Sequence, residues 1–191
     1  MFRRPTFSLP LPKALRRFLR DHEGVAAIEF ALVAPVLIIA YLGMADITLG
    51  LMAARKTSHL AATIGDLASQ SDNLTASNIS DLWTIGASML SPFNTTVGLK
   101  MRLTEVEMNT NNQIVVMWSK STSNWSSDGL GVSTAFPAIT PTQLPVNQYL
   151  IVTDVEYDYI SPFGKFLPGT TVFTYTFYHH PRNGTQVTNI G

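Results

Sequence analysis

The chain of 191 residues contains no cysteine. That absence excludes disulfides, thiol nucleophiles, cysteine-ligated zinc and iron–sulfur clusters. A chain of this length can bury a core without such cross-links. Charge is also scarce, because charged residues make up 14% of the chain and hydrophobic residues 46%. Soluble domains usually carry roughly 25% charged residues. The composition therefore points away from an ordinary soluble domain.

Motifs for catalysis and cofactor binding are missing as well. The sequence holds no G-x-S-x-G, H-E-x-x-H, P-loop or Rossmann fingerprint. His179 and His180 are adjacent, and adjacent residues of a strand point to opposite faces, so they do not easily bind one metal. We therefore predict no catalytic residue, no metal site and no cofactor, and we do not expect an enzyme.

The net charge of zero hides an asymmetry along the chain. Residues 1–23 carry six Lys or Arg against two acids, whereas residues 57–191 carry five against nine. The six are Arg3, Arg4, Lys13, Arg16, Arg17 and Arg20. A short basic, amphipathic tail is suited to anionic membrane lipid. No basic face elsewhere would bind nucleic acid, so we expect no nucleic-acid partner.

A long apolar run follows the basic tail. Val25 to Leu51 spans 27 residues and is interrupted only by Glu29 and Asp46. A helix of that length crosses the roughly 30 Å of bilayer hydrocarbon with some tilt. Six cations precede the run and two follow it closely. This bias predicts a single-pass protein of the inner (cytoplasmic) membrane, with a cytoplasmic N-terminus and a periplasmic or extracellular C-terminal domain. Pro35 lacks a backbone donor, so we expect a kink or local loosening there.

Helical patterning continues beyond the apolar run. Leu60, Ile64 and Leu67 follow the i, i+4, i+7 spacing of one helix face, so the membrane helix is predicted to run on. After a polar break, TASNISDLWTIGASMLSP indicates a second helix, with Thr75 or Ser77 as its N-cap.

Alternation of period two replaces the helical pattern after Pro92. VGLKMRLTEVEM and QIVVMWSK flank the turn NTNN and predict a hairpin, and QYLIVTDVEYDYI and TVFTYTFYHHPR predict two more strands. The long loop between the hairpin and the third strand should pack over the surface. We predict an α+β fold: a transmembrane helix, a helical extension and an antiparallel sheet of about four strands. The expected segments are residues 1–24, 25–51, 52–91 and 92–191.

Three carboxylates, Asp154, Glu156 and Asp158, share one face of a predicted strand. Such a row could bind Ca²⁺ or serve an envelope hydrolase. Period-two alternation alone also produces it, as the solvent face of an amphipathic strand, and we favour that interpretation.

Glu29 stands in the first turns of the apolar run. A carboxylate in this position is costly and usually has a partner, although one at the interface can reach water. It is preceded by Gly24 at a distance of five residues and followed directly by Phe30. A basic leader, a Gly, four residues, a Glu and an aromatic then open a hydrophobic helix: RRFLRDHEG, VAAIEFALVAPVLIIAYLG.

This pattern resembles the class III signal of type IV pilins and pseudopilins. The stretch EGVAAIEFALVAPVLIIAYLGMADITLGLMAARKTSHLAATIGDLAS is similar to the TadE-like pseudopilin family of the tight-adherence (Flp-type IV) pilus system. The resemblance implies a pilin-like sheet domain and cleavage by a prepilin peptidase between Gly24 and Val25. Glu29 and Phe30 would become the fifth and sixth residues of the mature chain, and Glu29 would pair with the N-terminal amine of a neighbouring subunit.

The implied function is structural. A minor pseudopilin of this family would act in pilus assembly, and hence in adhesion, with prepilin peptidase, other pilins and pseudopilins, the pilus secretion platform and membrane lipid as partners. It could end in the fibre, at its tip or in the platform alone. The alternative is an uncleaved single-span membrane protein whose outer domain binds a ligand or another protein.

Overall fold

The computed structural model describes residues 23–125, 130–136, 139, 144–163 and 170–190. The basic leader up to residue 22 therefore lies outside the described residues. Contacts divide the chain into two units, residues 1–44 and 45–191.

The first helix, α1, extends over Glu23–Ser69 without interruption. It passes through Pro35, so the proline does not end it. In the first unit nearly all its side chains are exposed, whereas in the second unit one side of the helix is buried. The buried side consists of small and aliphatic residues: Ala53, Leu60, Ala61, Ile64 and Ala68. The prediction that the apolar helix continues beyond the apolar run is confirmed.

A second helix, α2, spans Ala76–Met89, and its N-cap is Thr75 rather than Ser77. The Asn78 backbone N–H donates to Thr75 Oγ1 at 3.2 Å, and the Thr75 N–H donates to Asn78 Oδ1 at 3.0 Å. This capping box satisfies two backbone donors that the helix leaves unpaired. At the other end, Lys56 Nζ donates to the carbonyl oxygens of Met89 at 3.2 Å and Ser91 at 2.7 Å. A cation there also suits the negative end of the helix dipole.

Four strands form the antiparallel sheet that the alternation predicted. They are β2 Leu99–Met108, β3 Ile114–Ser121, β4 Tyr149–Tyr159 and β5 Thr171–His179. Their order across the sheet is β3-β2-β4-β5, and all neighbours are antiparallel. A register shift between Glu105 and Val106 interrupts the β2–β3 ladder. The α+β prediction is therefore confirmed.

A pair of two-residue strands was not predicted. β1, Asn73–Leu74, pairs in parallel with β6, Thr188–Asn189. The C-terminal segment reaches this pairing by way of the end of α1, where the Arg182 N–H donates to the carbonyl of Ser69 at 2.9 Å. The segment from Arg182 to Asn189 therefore contacts the end of α1 and pairs with β1.

The two faces of the sheet have different coverings. The main core joins the second-unit part of α1 and α2 to side chains such as Leu103, Ile151 and Val155. On the other face, Val106, Val116 and Val152 form a smaller cluster beneath residues of the long loop, namely Phe136, Ile139 and Leu144. The described part of that loop thus packs over the sheet, as expected.

Candidate assembly site

The four residues of the pilin-like motif lie in the first two turns of α1. Gly24 is the second residue of the helix, and a Cβ placed there would meet no atom within 4 Å. Val25, Glu29 and Phe30 are all exposed. A side chain at position 24 would therefore have room among the described residues.

Val25 and Glu29 occupy the same side of α1 because they are four residues apart, which separates their Cβ atoms by about 6 Å. Helical side chains lean toward the N-terminus, so the Glu29 side chain extends toward Val25. No hydrogen bond or ion pair of Glu29 occurs within the part of the chain that the structure describes. The carboxylate is therefore open to a partner from outside the chain.

The surrounding surface of the first unit is apolar on all sides. Large aliphatic side chains are exposed around the whole circumference of the helix: Ile28, Leu32, Val33, Val36, Leu37, Ile38 and Ile39. The most apolar window of α1 has a mean hydropathy of 2.4, and α1 alone among the described helices is long and apolar enough to cross a membrane. A helix that is hydrophobic all round requires lipid or other apolar helices around it. The protein is accordingly a single-pass membrane protein candidate.

Asp46, the second charge in the apolar run, has a different environment. Its side chain is fully buried in the second unit, where Oδ1 accepts a hydrogen bond from Ser161 Oγ. Its Oδ2 has no hydrogen-bond partner among the described residues. The Ser161 hydroxyl therefore supplies one of the hydrogen bonds that a buried carboxyl group needs.

We expected the three strand carboxylates to form a solvated face, and for Asp154 this expectation is wrong. Glu156 and Asp158 are partly exposed. Only 8% of Asp154 is exposed, and its carboxylate accepts from Arg102 Nη2 at 2.8 Å and from Thr176 Oγ1 at 2.7 Å. Lys100 pairs with Glu156 and, at 3.5 Å, with Asp158. The register places Lys100 opposite Glu156 and Arg102 opposite Asp154, so the two cations compensate part of the charge of the three carboxylates. No group of three or more His, Asp or Glu among the described residues could hold a metal.

Glu105 was missed by the sequence reasoning. It lies on the core face of β2 with no exposed surface, and Oε1 accepts from the backbone N–H of Val187 at 2.6 Å. Trp118 Nε1 donates to the Val187 carbonyl at 2.7 Å. Burial raises the pKa of Glu105 to about 7, against the opposing effect of the Val187 hydrogen bond. Leu99, Met101 and Leu103 alternate on the core face, and the same alternation places Glu105 on that face.

No curated protein and no solved structure gave a significant match to the chain. A family model does match: that of the TadE-like protein family, over residues 24–65. The matched segment begins at Gly24, contains Val25, Glu29 and Phe30, and ends in the part of α1 that packs on the sheet. Over this segment the chain matches the TadE-like family, which confirms the resemblance seen in its sequence and supports a protein associated with a tight-adherence pilus.

Proposed function

We propose that this protein is a minor pseudopilin with a structural role in the assembly of a tight-adherence type IV pilus. The observation that carries the proposal is the placement of Gly24, Glu29 and Phe30 at the start of an exposed apolar helix, inside the segment that matches the family. The proposed partners are prepilin peptidase, other pilins and pseudopilins, the pilus secretion platform and the lipid of the membrane.

The proposed organisation follows the charge and hydropathy pattern. Residues 1–24 form a cytoplasmic leader that prepilin peptidase removes, and Val25 to Leu51 anchors the protein in the inner membrane. Residues 52–91 and 92–191 then form the exported helical and sheet regions. The six cations before the apolar run, against two just after it, support this orientation.

The proposed role of the motif is charge pairing between subunits. A cut after Gly24 leaves an ammonium group on Val25. That ammonium and the Glu29 carboxylate are each costly in hydrocarbon, and each would be neutralised by a partner of opposite sign on a neighbouring subunit. The pair would fix the axial register of adjacent helices. Small residues beside it would allow a close approach of the helices: Ala26, Ala27, Ala31 and Ala34.

N-terminal sequencing of the membrane form tests the processing step in cells with active prepilin peptidase. The mature chain should start at Val25, and Gly24→Ala should leave the leader attached. Gly131→Ala, in a surface loop of the second unit, is the matched control and should be processed normally. An intact Met1 in the wild-type chain would contradict processing and favour the uncleaved single-span protein.

Substitution of Glu29 tests the pairing separately from the processing. Glu29→Ala should be cleaved but should fail to co-purify with the pilus secretion complex, and Glu29→Gln should behave like it, because both lack the charge. Glu29→Asp retains the charge and should keep part of the association. Normal assembly of Glu29→Ala subunits would refute charge pairing while leaving the pilus association intact.

A further inference from the structure

The second unit begins at Ala45, which lies within the apolar run and within α1. Asp46 is fully buried at this point and bonds to Ser161, which lies just after β4. The hydrogen bond joins two residues 115 positions apart. It therefore fixes the segment from Ile160 to Phe163 beside Asp46, near the start of the second unit.

Large apolar side chains are exposed at this place. Ile160 is 70% exposed and Phe163 39% exposed, and Val97, which lines the same cavity of about 400 Å³ as Ile160, is 77% exposed. Pro162, also exposed, lines this cavity too. We call Val97, Ile160, Pro162 and Phe163 the junction patch. A cluster of exposed apolar side chains usually marks a surface that contacts a membrane or another protein.

Helix length decides what covers the junction patch. Val25 to Ala45 comprises 21 residues, which at about 1.5 Å per residue gives roughly 31 Å. The hydrocarbon of a bilayer is about 30 Å thick. Asp46 directly follows Ala45 in the chain. A span that starts at Val25 therefore brings Asp46 and Ser161 to the surface of the bilayer.

The charges around the patch permit contact with lipid headgroups. Asp158 is the carboxylate that lines the cavity, and it is within 3.5 Å of Lys100, whose ammonium also pairs with Glu156. Charge there is thus partly compensated inside the protein. The aromatic ring of Phe163 and the aliphatic side chains of Val97 and Ile160 suit the boundary between headgroups and acyl chains.

We propose that the junction patch inserts into the interfacial layer of the same bilayer that α1 crosses, and so holds the second unit against the membrane surface. The hydrocarbon-crossing segment then ends at Ala45, six residues earlier than the sequence suggested. The proposal rests on the proposed membrane anchoring by α1. In this proposal lipid covers the junction patch, and coverage by a second copy of the chain is the alternative outcome of the test.

Spin labels on single cysteines measure the position of the patch directly, because the native chain has no cysteine. The full chain is reconstituted in vesicles of phosphatidylethanolamine and phosphatidylglycerol, with labels introduced by Ile160→Cys and Val97→Cys. Val132→Cys is the matched water control, because Val132 is 66% exposed. It lies close to Val115 on β3, which the register places at the Tyr149 end of the sheet, whereas Ile160 follows the other end of β4. Leu37→Cys is the lipid control in the apolar run. Unchanged thermal unfolding verifies that each labelled chain is folded.

Each label is read by its collision rates with oxygen, which concentrates in lipid, and with a water-soluble nickel chelate. At positions 160 and 97 the oxygen-to-nickel ratio should exceed that at 132 and approach that at 37. Equal ratios at 160, 97 and 132, with a lipid value at 37, would refute the patch proposal while the anchoring stands. Shielding of 160 and 97 from both reagents would also refute it, in favour of contact with a second copy of the chain. A water value at 37 would refute the anchoring itself.

Discussion

Glu105 lies in the interior of the second unit without an ion-pair partner among the described residues. Its Oε1 holds the backbone N–H of Val187, and Val187 is itself buried. The carboxyl group therefore links β2 to the C-terminal segment that ends in β6. Because burial disfavours the ionised form, the pKa of Glu105 rises from 4.5 to about 7.

This raised pKa makes stability depend on pH with a defined sign. Between about 4.5 and about 7 the folded chain binds the Glu105 proton more tightly than the unfolded chain does. The contribution is complete below the lower value and is lost as the pH rises through the upper one. A shift of this size corresponds to at most about 3 kcal/mol of unfolding free energy. Chemical unfolding of the full chain in detergent, at pH values on either side of this window, measures the loss.

Glu105→Gln should remove most of that pH dependence, since the amide keeps an oxygen for the Val187 N–H but does not ionise. Asp81→Asn is the control, because it removes an exposed carboxylate on α2. This variant should keep the dependence of unfolding free energy on pH. If Glu105→Gln and the wild type lost equal stability over the window, burial of Glu105 would not be the source of the effect.

At the scale of elements, the closest packing is between α1 and the sheet. A Cβ added at Gly65 would be 2.5 Å from Thr153 Oγ1 on β4 and would also overlap the ring of His179 on β5. Real Cβ atoms essentially never approach closer than 3.0 Å. The absence of a side chain at Gly65 is therefore what lets the helix lie against both strands.

Gly65→Ala should destabilise the second unit. Overpacking costs about 1–3 kcal/mol, whereas replacing a helical glycine by alanine returns only about 1 kcal/mol of backbone propensity. We expect a net loss of about 1–2 kcal/mol, because Thr153 is stiff at χ1 and two strands would have to move. Urea unfolding of the full chain in detergent measures this loss.

Gly86→Ala is the matched control on α2. The nearest atom to its added Cβ is Met101 Sδ at 2.6 Å, the far part of a flexible side chain. Met101 can move aside, so this variant should lose less stability than Gly65→Ala. An equal or larger loss in Gly86→Ala would mean that the α1–sheet contact is not the tighter of the two.

The elements that could be predicted are those whose pattern repeats over many residues. The apolar run gave α1, and alternation gave β2 to β5, including the aromatic face of Phe173, Tyr175 and Phe177. β1 and β6 could not be predicted, because two residues show no periodicity and their pairing depends on how the chain end folds back. The burial of Asp154 likewise depends on its register with Arg102, which spacing within one strand does not reveal.

The candidate site divides in the same way. Gly24, Val25, Glu29 and Phe30 could be proposed from the sequence because they are a local motif beside a long apolar run. The environment of Asp46 could not, since Ser161 is 115 residues away. Glu105 was visible in the alternation, but its hydrogen bond to Val187 comes from a segment 82 residues further on. Local patterns thus suggest the motif at the start of α1, whereas tertiary contacts define the buried carboxylates.

For the whole molecule, the charge distribution and the single apolar helix together predict an orientation. The six leader cations should remain in the cytoplasm, because basic residues flanking a span are retained on that side. The second unit carries an excess of acidic groups and should be outside. Because the chain has no cysteine, a thiol introduced at one position is the only thiol that a reagent can label, and its labelling reports the side of the membrane on which it lies.

A membrane-impermeant maleimide applied to spheroplasts should label Val132→Cys, whose side chain position is exposed in the second unit. Ser8→Cys, combined with Gly24→Ala to retain the leader, should be labelled only after the membrane is permeabilised. Replacing the six leader cations by Gln should reduce the labelling of Val132→Cys, because the bias that holds the N-terminus inside is then lost. Labelling of Ser8→Cys in intact spheroplasts would invert the proposed topology. It would also place Gly24 on the side of the membrane opposite to the one from which the leader, in our proposal, is removed.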